Sequence, residues 1–365
     1  MRNVVVGAGI TGLTIAERLA SVGEDVLIIE KRDHIGGNCY DFFDSDRCYV
    51  QQYGPHLFHT SHKDVWQYLS RFTEWHPYKH RVHGHINRQI VPIPFNLNSI
   101  DLSFGKAKAG IFTKKLKEKH GEGSRISIFD LLNSDDAHLK ELGDYIFKNV
   151  FINYTIKQWD IHPDELDKSV LNRVPVAITR ENRYFSDTYE AMPKQGFSAI
   201  FQKMVQNPKI KVMLNKDYKD IVNGLSYSRL FYTGPLDYFF DFKFGKLKYR
   251  NIEYVFEKHD SPYHKHPDVA ILNYPNEHEF TRISEFNKFL GIETEKTVIL
   301  KEFPSWEKGT MSYPVQSPEN MRSVNTYLEE AKKLKNVVFA GRLAECKYYN
   351  MDQAVKRALD ICNEL

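Results

Sequence analysis

The stretch VVVGAGITGLTIAERLASVGEDVLIIEKR, residues 4–32, decides the fold. It reads as a strand, a glycine-rich turn, a helix with apolar residues at helical spacing, and a second strand ending at Glu30. Parallel pairing of the two strands needs the helix as a crossover, so this βαβ unit predicts a parallel sheet with helices on its faces.

The turn carries the pattern GxGxxG at Gly7, Gly9 and Gly12, directly after a strand and at the start of a helix. Gly7 permits the tight turn, Gly9 lets the backbone approach a pyrophosphate, and Gly12 allows the helix to pack closely on the strand. Glu30 is placed to accept hydrogen bonds from ribose hydroxyls and would repel a 2′-phosphate. The pattern in this context predicts a dinucleotide site.

The rest of the chain predicts an α/β protein in which the sheet is interrupted and resumed. KIKVMLN, SRLFYTGP and NVVFAGRL read as further strands of the parallel sheet, residues 99–170 are mainly helical, and ILNYP, FTRISEF and EKTVILKEFP alternate like antiparallel strands. We therefore expect a discontinuous dinucleotide-binding domain (1–75, 190–234 and 336–365), an inserted helical domain (99–170) and an antiparallel sheet domain (76–98, 171–189 and 235–335).

Composition limits the partners. The net charge of +3 is spread along the chain, which argues against nucleic acid, and no apolar run reaches the ~20 residues that cross a bilayer. Cys39, Cys48, Cys346 and Cys362 show neither metal-ligand spacing nor a redox CxxC. We expect no integral membrane contact, no metal and a cytoplasmic location.

Two further segments indicate which dinucleotide the site would bind. Ile35 to Asn38 (IGGN) and VVFAGRL near the C-terminus resemble the second and the closing FAD segments of amine oxidase-like flavoproteins. The resemblance favours FAD over NAD and implies an FAD-binding Rossmann-like domain. The implied cofactor-binding residues are Gly7, Gly9, Thr11, Gly12, Glu30, Lys31, Gly37, Asn38, His56, Gly341, Arg342, Met351 and Asp352.

A longer series of segments resembles the UDP-galactopyranose mutase family, in order and over nearly the whole chain. These are YGPHLFHT, PFN, NYTIKQW, NRVPV, NRYFSD, YTGPLDYFFDFKFGKLKYR, FTRISEF, SYPV and GRLAECKYYNMDQA. Amine oxidases share the FAD segments and lack the others. The resemblance implies a non-redox isomerisation in which N5 of reduced FAD attacks the anomeric carbon of a nucleotide sugar.

Site residues follow from the same resemblance, position by position. Arg173 and Arg282 correspond to a pair of diphosphate-binding arginines, and a guanidinium fork suits phosphate oxygens. His56 and His59 correspond to histidines beside the flavin, and together with the two arginines they form the implied catalytic set. The implied substrate-binding residues are Tyr154, Thr155, Trp159, Arg173, Tyr184, Arg282, Tyr313, Tyr348 and Asn350.

The resemblance also implies a mobile loop near TIKQWDIHPDEL (155–166), and a homodimer is the assembly that relatives suggest. Pro55, Cys346 and Asn350 depart from the residues common in the family, which leaves the sugar nucleotide open. UDP-galactopyranose is favoured because, by analogy with relatives, His59 suits a sugar without a bulky 2-acetamido group better than an arginine would. A dTDP-6-deoxy sugar such as dTDP-fucose, UDP-N-acetylgalactosamine, a flavin amine oxidase-like oxidoreductase and a binding-only protein remain alternatives.

Overall fold

The structure, a computed structural model, describes residues 2–165 and 171–365. The last residues of the predicted helical domain, 166–170, and Leu166 of the predicted mobile segment lie outside the described part. The chain forms two compact units. Unit one comprises residues 1–78, 187–251 and 309–365, and unit two comprises 79–186 and 252–308.

Unit one is built on a parallel sheet. Its strand order is Ile210–Met213, Val26–Ile29, Arg2–Val6, Tyr227–Tyr232 and Val337–Phe339, and each described pairing is parallel. The prediction that the sheet is resumed by the middle and C-terminal segments is confirmed. Because the first strand lies at the centre, later segments of the chain add to both sides of the opening βαβ unit.

The first helix, Ile10–Ser21, is buried on nearly all sides, as expected for a helix between a sheet and another helix. Leu13, Ile15 and Leu19 are each at most 3% exposed. The helix packs against the last helix, Met351–Asn363, whose Val355 and Ala358 are fully buried. Burying each leucine or isoleucine contributes about 1.5–3 kcal/mol, so this pair of helices is a main part of the core of unit one.

Smaller elements complete unit one. An antiparallel sheet joins Phe58–Thr60, Tyr189–Pro193 and Trp75–Pro77, and Asp41–Phe43 pairs with Tyr49–Gln51. A further strand is Thr310–Pro314, and the remaining helices are Lys63–Leu69, Phe197–Met204, Tyr218–Ile221, Leu236–Phe239 and Pro318–Ala331.

Unit two contains the predicted helical segments and the second sheet. Its helices are Leu97–Ser103, Lys106–His120, Ile128–Leu132, Ala137–Ile146, Asn153–Trp159 and Asn287–Leu290, with a π-helical turn at Phe147–Ile152. The sheet order is Tyr249–His259, which enters the unit at Ile252, then Thr297–Ser305, Arg282–Glu285, Ile271–Asn273, Val82–Ile86 and Gln89–Ile93. Arg125–Ile126 pairs with Val176–Ala177.

The predicted antiparallel sheet is in fact mixed, because Ile271–Asn273 runs parallel to Val82–Ile86 while its other neighbour is antiparallel. Residues 235–251 and 309–335, expected in the sheet domain, lie in unit one. The further division of unit two into a helical and a sheet domain remains a prediction. Among the described residues, no helix has the length and apolar character needed to span a bilayer.

Candidate dinucleotide cavity and substrate-binding residues

A cavity of about 610 Å³ opens in unit one at the carboxyl ends of the parallel strands. Its lining comes from all three chain segments of the unit, and ligands of open α/β sheets characteristically bind at this edge. Residues of the predicted cofactor set that line it are Gly7, Gly9, Thr11, Glu30, Lys31, Gly37, Asn38, His56, Gly341, Arg342 and Met351.

The glycine turn has the geometry that the sequence pattern predicts. Gly7 has a φ of +96°, and a Cβ there would lie 2.2 Å from Oγ1 of Thr233. A Cβ on Gly12 would lie 2.1 Å from the carbonyl oxygen of Gly7. The helix begins after Gly9, where no described side chain caps the first turn, so its N–H groups and dipole are available to an anion in the cavity.

Glu30 is held with its carboxylate beside the turn. It accepts hydrogen bonds from the backbone N–H groups of Ala8 at 2.7 Å and of Arg32 at 2.9 Å. A carboxylate has about four acceptor positions, so these bonds orient the group and still permit ribose hydroxyls to donate to it.

Arg32 is a cavity residue that the sequence reasoning missed. Its guanidinium lies 4.2 Å from the ring centroid of Tyr53, and Nη2 donates to Oδ1 of Asn38 at 2.8 Å. Nη1 is buried and has no hydrogen-bond partner among the described residues. A cation with an unsatisfied donor beside an anion-binding turn suits a dinucleotide, and its position two residues after Glu30 was the available signal.

Lys31 lies at the rim of the same cavity. Its ammonium pairs with Asp217 at 3.1 Å, and its side chain is 75% exposed, so it is a weaker candidate for cofactor binding than Arg32. Gly37 is required by close backbone approach, because a Cβ there would lie 2.8 Å from Cα of Gly9.

The C-terminal segment places Arg342 against two aromatic rings. Its guanidinium lies 5.4 Å from the ring centroid of Tyr313 and 5.3 Å from that of Tyr348, and these rings stack at 5.1 Å with an interplanar angle of 5°. Arg342 also donates to the carbonyl oxygens of Tyr349 and Ser312. The structure therefore brings together three residues that were predicted separately.

The start of the last helix follows directly. Asn350 is its N-cap and lines the cavity together with Met351. Asp352 is buried, with an Oδ1 atom that has no hydrogen-bond partner in the described part of the chain, and it is outside the cavity lining.

The two predicted histidines differ in their surroundings. His56 lines the cavity, and its Nδ1 lies 2.9 Å from the carbonyl oxygen of Gly54. His59 is on the strand Phe58–Thr60, and its Nδ1 lies 2.8 Å from Oδ2 of Asp187. A carboxylate partner fixes the ring orientation and tautomer of a histidine. Asp187 is 128 residues away in sequence, so only the fold reveals this partner.

Cys39 is the thiol in the cavity lining. Burial raises the pKa of Cys39 to about 12, with the Asp41 carboxylate acting in the same direction and the Arg342 and Arg32 guanidinium groups acting against it. The thiol therefore stays protonated at neutral pH and is a poor candidate for a nucleophile, because the thiolate is the reactive form.

In unit two, the helix Asn153–Trp159 carries Tyr154, Thr155 and Trp159. Thr155 and Trp159 are four residues apart, lie on one face and are 5% and 7% exposed, whereas Tyr154 is half-buried. The helix thus has one buried face and a partly exposed aromatic ring, and none of these three residues is part of the lining of the cavity of unit one.

The two predicted diphosphate arginines have unlike settings. Arg282 begins a strand and donates from Nε and Nη2 to both carboxylate oxygens of Glu302 at 2.6 and 2.9 Å, and Glu302 is 2% exposed. Arg173 is exposed, in a turn that precedes the strand Val176–Ala177. Tyr184 is half-buried, and its backbone N–H donates to the carbonyl oxygen of His80 at 2.8 Å. Glu302 was missed because it is an ordinary polar position of an alternating strand.

Residues 149–348 match the family model described as UDP-galactopyranose mutase, and residues 5–72 match that of an NAD(P)-binding Rossmann-like domain. The chain is 33% identical over 366 residues to a probable UDP-galactopyranose mutase of Klebsiella pneumoniae, covering 99% of this chain and 94% of that protein.

The chain belongs to the UDP-galactopyranose mutase family. It is also 33% identical over 372 residues to a dTDP-fucopyranose mutase of Escherichia coli, covering 99% of this chain and 97% of that protein. A crystal structure of a reduced UDP-galactopyranose mutase has the same fold, with a TM-score of 0.76 at 17% identity over 100% of this chain and 93% of the other.

Membership of the UDP-galactopyranose mutase family makes the chain an isomerase with a Rossmann-like dinucleotide-binding domain. The range matched by the family model contains every predicted substrate-binding residue except Asn350. The range matched by the Rossmann-like model contains the glycine turn, Glu30, His56 and His59.

Proposed function

We propose that this mutase interconverts the pyranose and furanose forms of a nucleotide sugar, with UDP-galactose as its substrate and reduced FAD as its cofactor. The observation that carries the proposal is the similarity to sugar-nucleotide mutases over 99% of the chain. The segments that carry the implied diphosphate-binding and flavin-binding residues occur along this chain in the order in which the family has them.

The cavity of unit one fits FAD by its donors and acceptors. The uncapped helix N-terminus after Gly9 would hold the pyrophosphate, and Glu30 would accept from the adenosine ribose. Nη1 of Arg32, which is buried and has no hydrogen-bond partner within the described ranges 2–165 and 171–365, would supply a further donor for an anion. By the family resemblance, Gly341 and Arg342 would approach the flavin end. When bound and reduced, the flavin supplies the nucleophile toward the anomeric carbon.

The protein's own part in the reaction is positional. Arg173 and Arg282 would bind the diphosphate throughout the ring exchange, so that the nucleotide is recaptured by the same sugar in an effectively unimolecular step. Charge-assisted hydrogen bonds of this kind are worth about 1.5–3 kcal/mol each. Glu302 would keep the Arg282 guanidinium in one orientation in both the presence and the absence of substrate.

The aromatic groups would complete the substrate site. Tyr154, Thr155 and Trp159 would contact the nucleotide and sugar, and Tyr184, Tyr313 and Tyr348 would donate to the diphosphate; Asn350 is assigned to the sugar end. A tyrosine hydroxyl is a neutral donor on a rigid apolar body, which suits a diphosphate that is bound and released in every turnover. His56 and His59 would lie beside the flavin, where each could donate a hydrogen bond to the flavin or to a sugar hydroxyl.

A dTDP-6-deoxy sugar is the second candidate substrate, because the dTDP-fucopyranose mutase matches at the same identity as the galactopyranose mutase. UDP-N-acetylgalactosamine is a third. We also propose a cytoplasmic location. A homodimer is proposed as well, and light scattering of the purified protein would test it.

The decisive experiment incubates the protein with UDP-galactofuranose, before and after reduction with dithionite, and separates the ring forms by chromatography. We expect conversion to UDP-galactopyranose by the reduced protein and almost none by the oxidised protein. Equal activity in both states would contradict the proposed use of reduced flavin. Consumption of one equivalent of reductant per product would indicate an oxidoreductase instead. The same assay with dTDP-fucofuranose and UDP-N-acetylgalactosamine ranks the substrates.

A further inference from the structure

The helix Asn153–Trp159 is joined to a distant hairpin loop through the ammonium of Lys157. Nζ lies within hydrogen-bonding distance of four carbonyl oxygens of the loop 274–281, those of Tyr274, Glu277, His278 and Phe280. The distances to the last three are 3.0, 3.3 and 3.3 Å. More than a hundred residues separate Lys157 from this loop, so the ammonium is a tertiary tether.

The loop held by Lys157 leads directly into Arg282. Asn273 and Arg282 are paired residues of antiparallel strands, and residues 274–281 form the connection between them. Phe280, one of the four acceptors, precedes Arg282 by only two residues. The tether therefore joins the helix that carries Tyr154, Thr155 and Trp159 to the strand that begins with the predicted diphosphate arginine.

Two other contacts support the same arrangement. The side-chain amide of Asn153 donates to Oδ1 of Asn276 in the loop at 3.0 Å. At the other end of the helix, Asp160 accepts a hydrogen bond at 2.7 Å from the indole of Trp306, which follows the strand Thr297–Ser305 that carries Glu302. The helix is thus attached to the loop that leads into Arg282 and to the residue that follows the strand of Glu302.

Lys157 itself is poorly suited to bind a phosphate. A lysine ammonium has three N–H donors, and four carbonyl oxygens already compete for them. The side chain is half-buried, and burial lowers the pKa of Lys157 to about 8 while the Glu277 carboxylate acts in the opposite direction. Most Lys157 side chains therefore still carry an ammonium at neutral pH. Its role is therefore to hold the surrounding chain in place.

We propose that Lys157 is a positioning residue that sets the affinity for the nucleotide diphosphate, by fixing the helix Asn153–Trp159 relative to Arg282. This inference rests on the proposed function for the identity of the ligand. Misplacing a group that makes one charge-assisted hydrogen bond to the diphosphate can weaken binding by about 10- to 100-fold. A neutral side chain at position 157 should release the loop and loosen the site without removing any group that contacts substrate.

The test compares Lys157→Met with Lys157→Arg and with the control Lys140→Met. Lys140 is another helical lysine of unit two, but it is exposed and pairs with Asp144 one turn away. For each reduced protein we would measure KM and kcat with UDP-galactofuranose and the Kd of UDP. Amide hydrogen exchange of residues 153–159 and 274–281 reports the tether itself, and the flavin absorbance reports the cofactor.

For Lys157→Met we expect KM and the Kd of UDP to rise about 10- to 100-fold, as for the loss of one charge-assisted hydrogen bond, with kcat changed much less and the flavin absorbance retained. Exchange should become faster in both segments. Lys157→Arg keeps the charge and several donors, so it should fall between the wild type and Lys157→Met, and Lys140→Met should match the wild type.

Unchanged KM and Kd in a folded Lys157→Met protein would overturn the positioning role, and so would unchanged exchange in both segments. If Lys157→Met does not fold, the same criteria apply to Lys157→Arg and to Asn153→Ala, which removes only the neighbouring amide contact. A wild type that neither isomerises the sugar nor binds UDP would instead refute the proposed function, whereas the exchange measurement would still decide whether the tether exists.

Discussion

Arg282 is joined by two short hydrogen bonds to a carboxylate that is almost fully buried. Glu302 would be left as an uncompensated buried charge if the guanidinium were removed, and breaking such a pair typically costs about 3–5 kcal/mol. Truncation of Arg282 would therefore disturb folding as well as substrate binding. A variant that retains the positive charge is needed to separate the two effects.

We predict that Arg282→Lys lowers kcat/KM for UDP-galactofuranose about 10- to 100-fold, which corresponds to the loss of one charge-assisted hydrogen bond. A lysine can still pair with Glu302 but lacks the planar fork that binds two oxygens at once. The flavin spectrum should be unchanged, and the melting temperature should fall less than in Arg282→Ala. Steady-state kinetics and thermal melts check this, with Arg180→Lys, an exposed arginine paired with Asp101, as the control. Wild-type kinetics in Arg282→Lys would contradict the assignment of Arg282 to the diphosphate site.

His264, in the segment that follows the strand Tyr249–His259, shows how the stability of the protein depends on pH. The rings of His259 and His264 lie 4.5 Å apart. Burial lowers the pKa of His264 to about 4, and His259, Lys265 and Lys301 act in the same direction while Glu257 acts against them. His264 is therefore neutral in the folded protein under conditions where a histidine in the unfolded chain is charged.

This difference predicts that His264 makes the protein less stable as the pH falls from about 6.5 to about 4. In that range the unfolded chain binds a proton at this histidine and the folded chain does not, so protonation favours unfolding. In His264→Asn, the midpoint of urea unfolding should decline less over this range than in the wild type. His138→Asn, at an exposed position of unit two, is the control. Parallel pH profiles for His264→Asn and the wild type would contradict the prediction.

At the scale of the whole chain, the cofactor cavity draws together segments that are far apart in sequence. Its lining includes residues near Gly9, near Tyr232 and near Gly341, on three separate segments of unit one. A ligand that binds only the folded cavity stabilises the folded state by mass action.

We therefore predict that FAD added to the flavin-free protein raises its free energy of unfolding, by about 2.7 kcal/mol when free FAD is at 100 times its Kd. Differential scanning calorimetry with increasing FAD concentrations would measure the effect. NAD at the same concentrations serves as the control and should have little effect. An equal response to NAD would contradict the assignment of the cavity to FAD.

The sequence was sufficient for features that depend on local sterics and periodicity. The turn at Gly7 and Gly12, the strands of the parallel sheet and the mainly helical character of the described part of 99–170 were predicted from neighbouring residues. The partners of the site residues were not. Glu302 for Arg282, Asp187 for His59 and the carbonyl oxygens for Lys157 are side-chain or backbone groups with no local signal, and only the folded chain brings them together. The parallel pairing of Ile271–Asn273 was missed because the alternation of apolar and polar residues in a strand does not indicate the direction of its neighbour.

The packing of the first helix against the last has a consequence for synthesis on the ribosome. The helix Ile10–Ser21 emerges early, but the helix Met351–Asn363 that covers it is translated hundreds of residues later. During that interval the apolar side chains of Ile10–Ser21 that the later helix covers are exposed on the nascent polypeptide. Chaperones recognise such surfaces. Unit one consequently cannot complete its folding until the helix Met351–Asn363 has been synthesised, and removal of that helix would leave a product prone to aggregation.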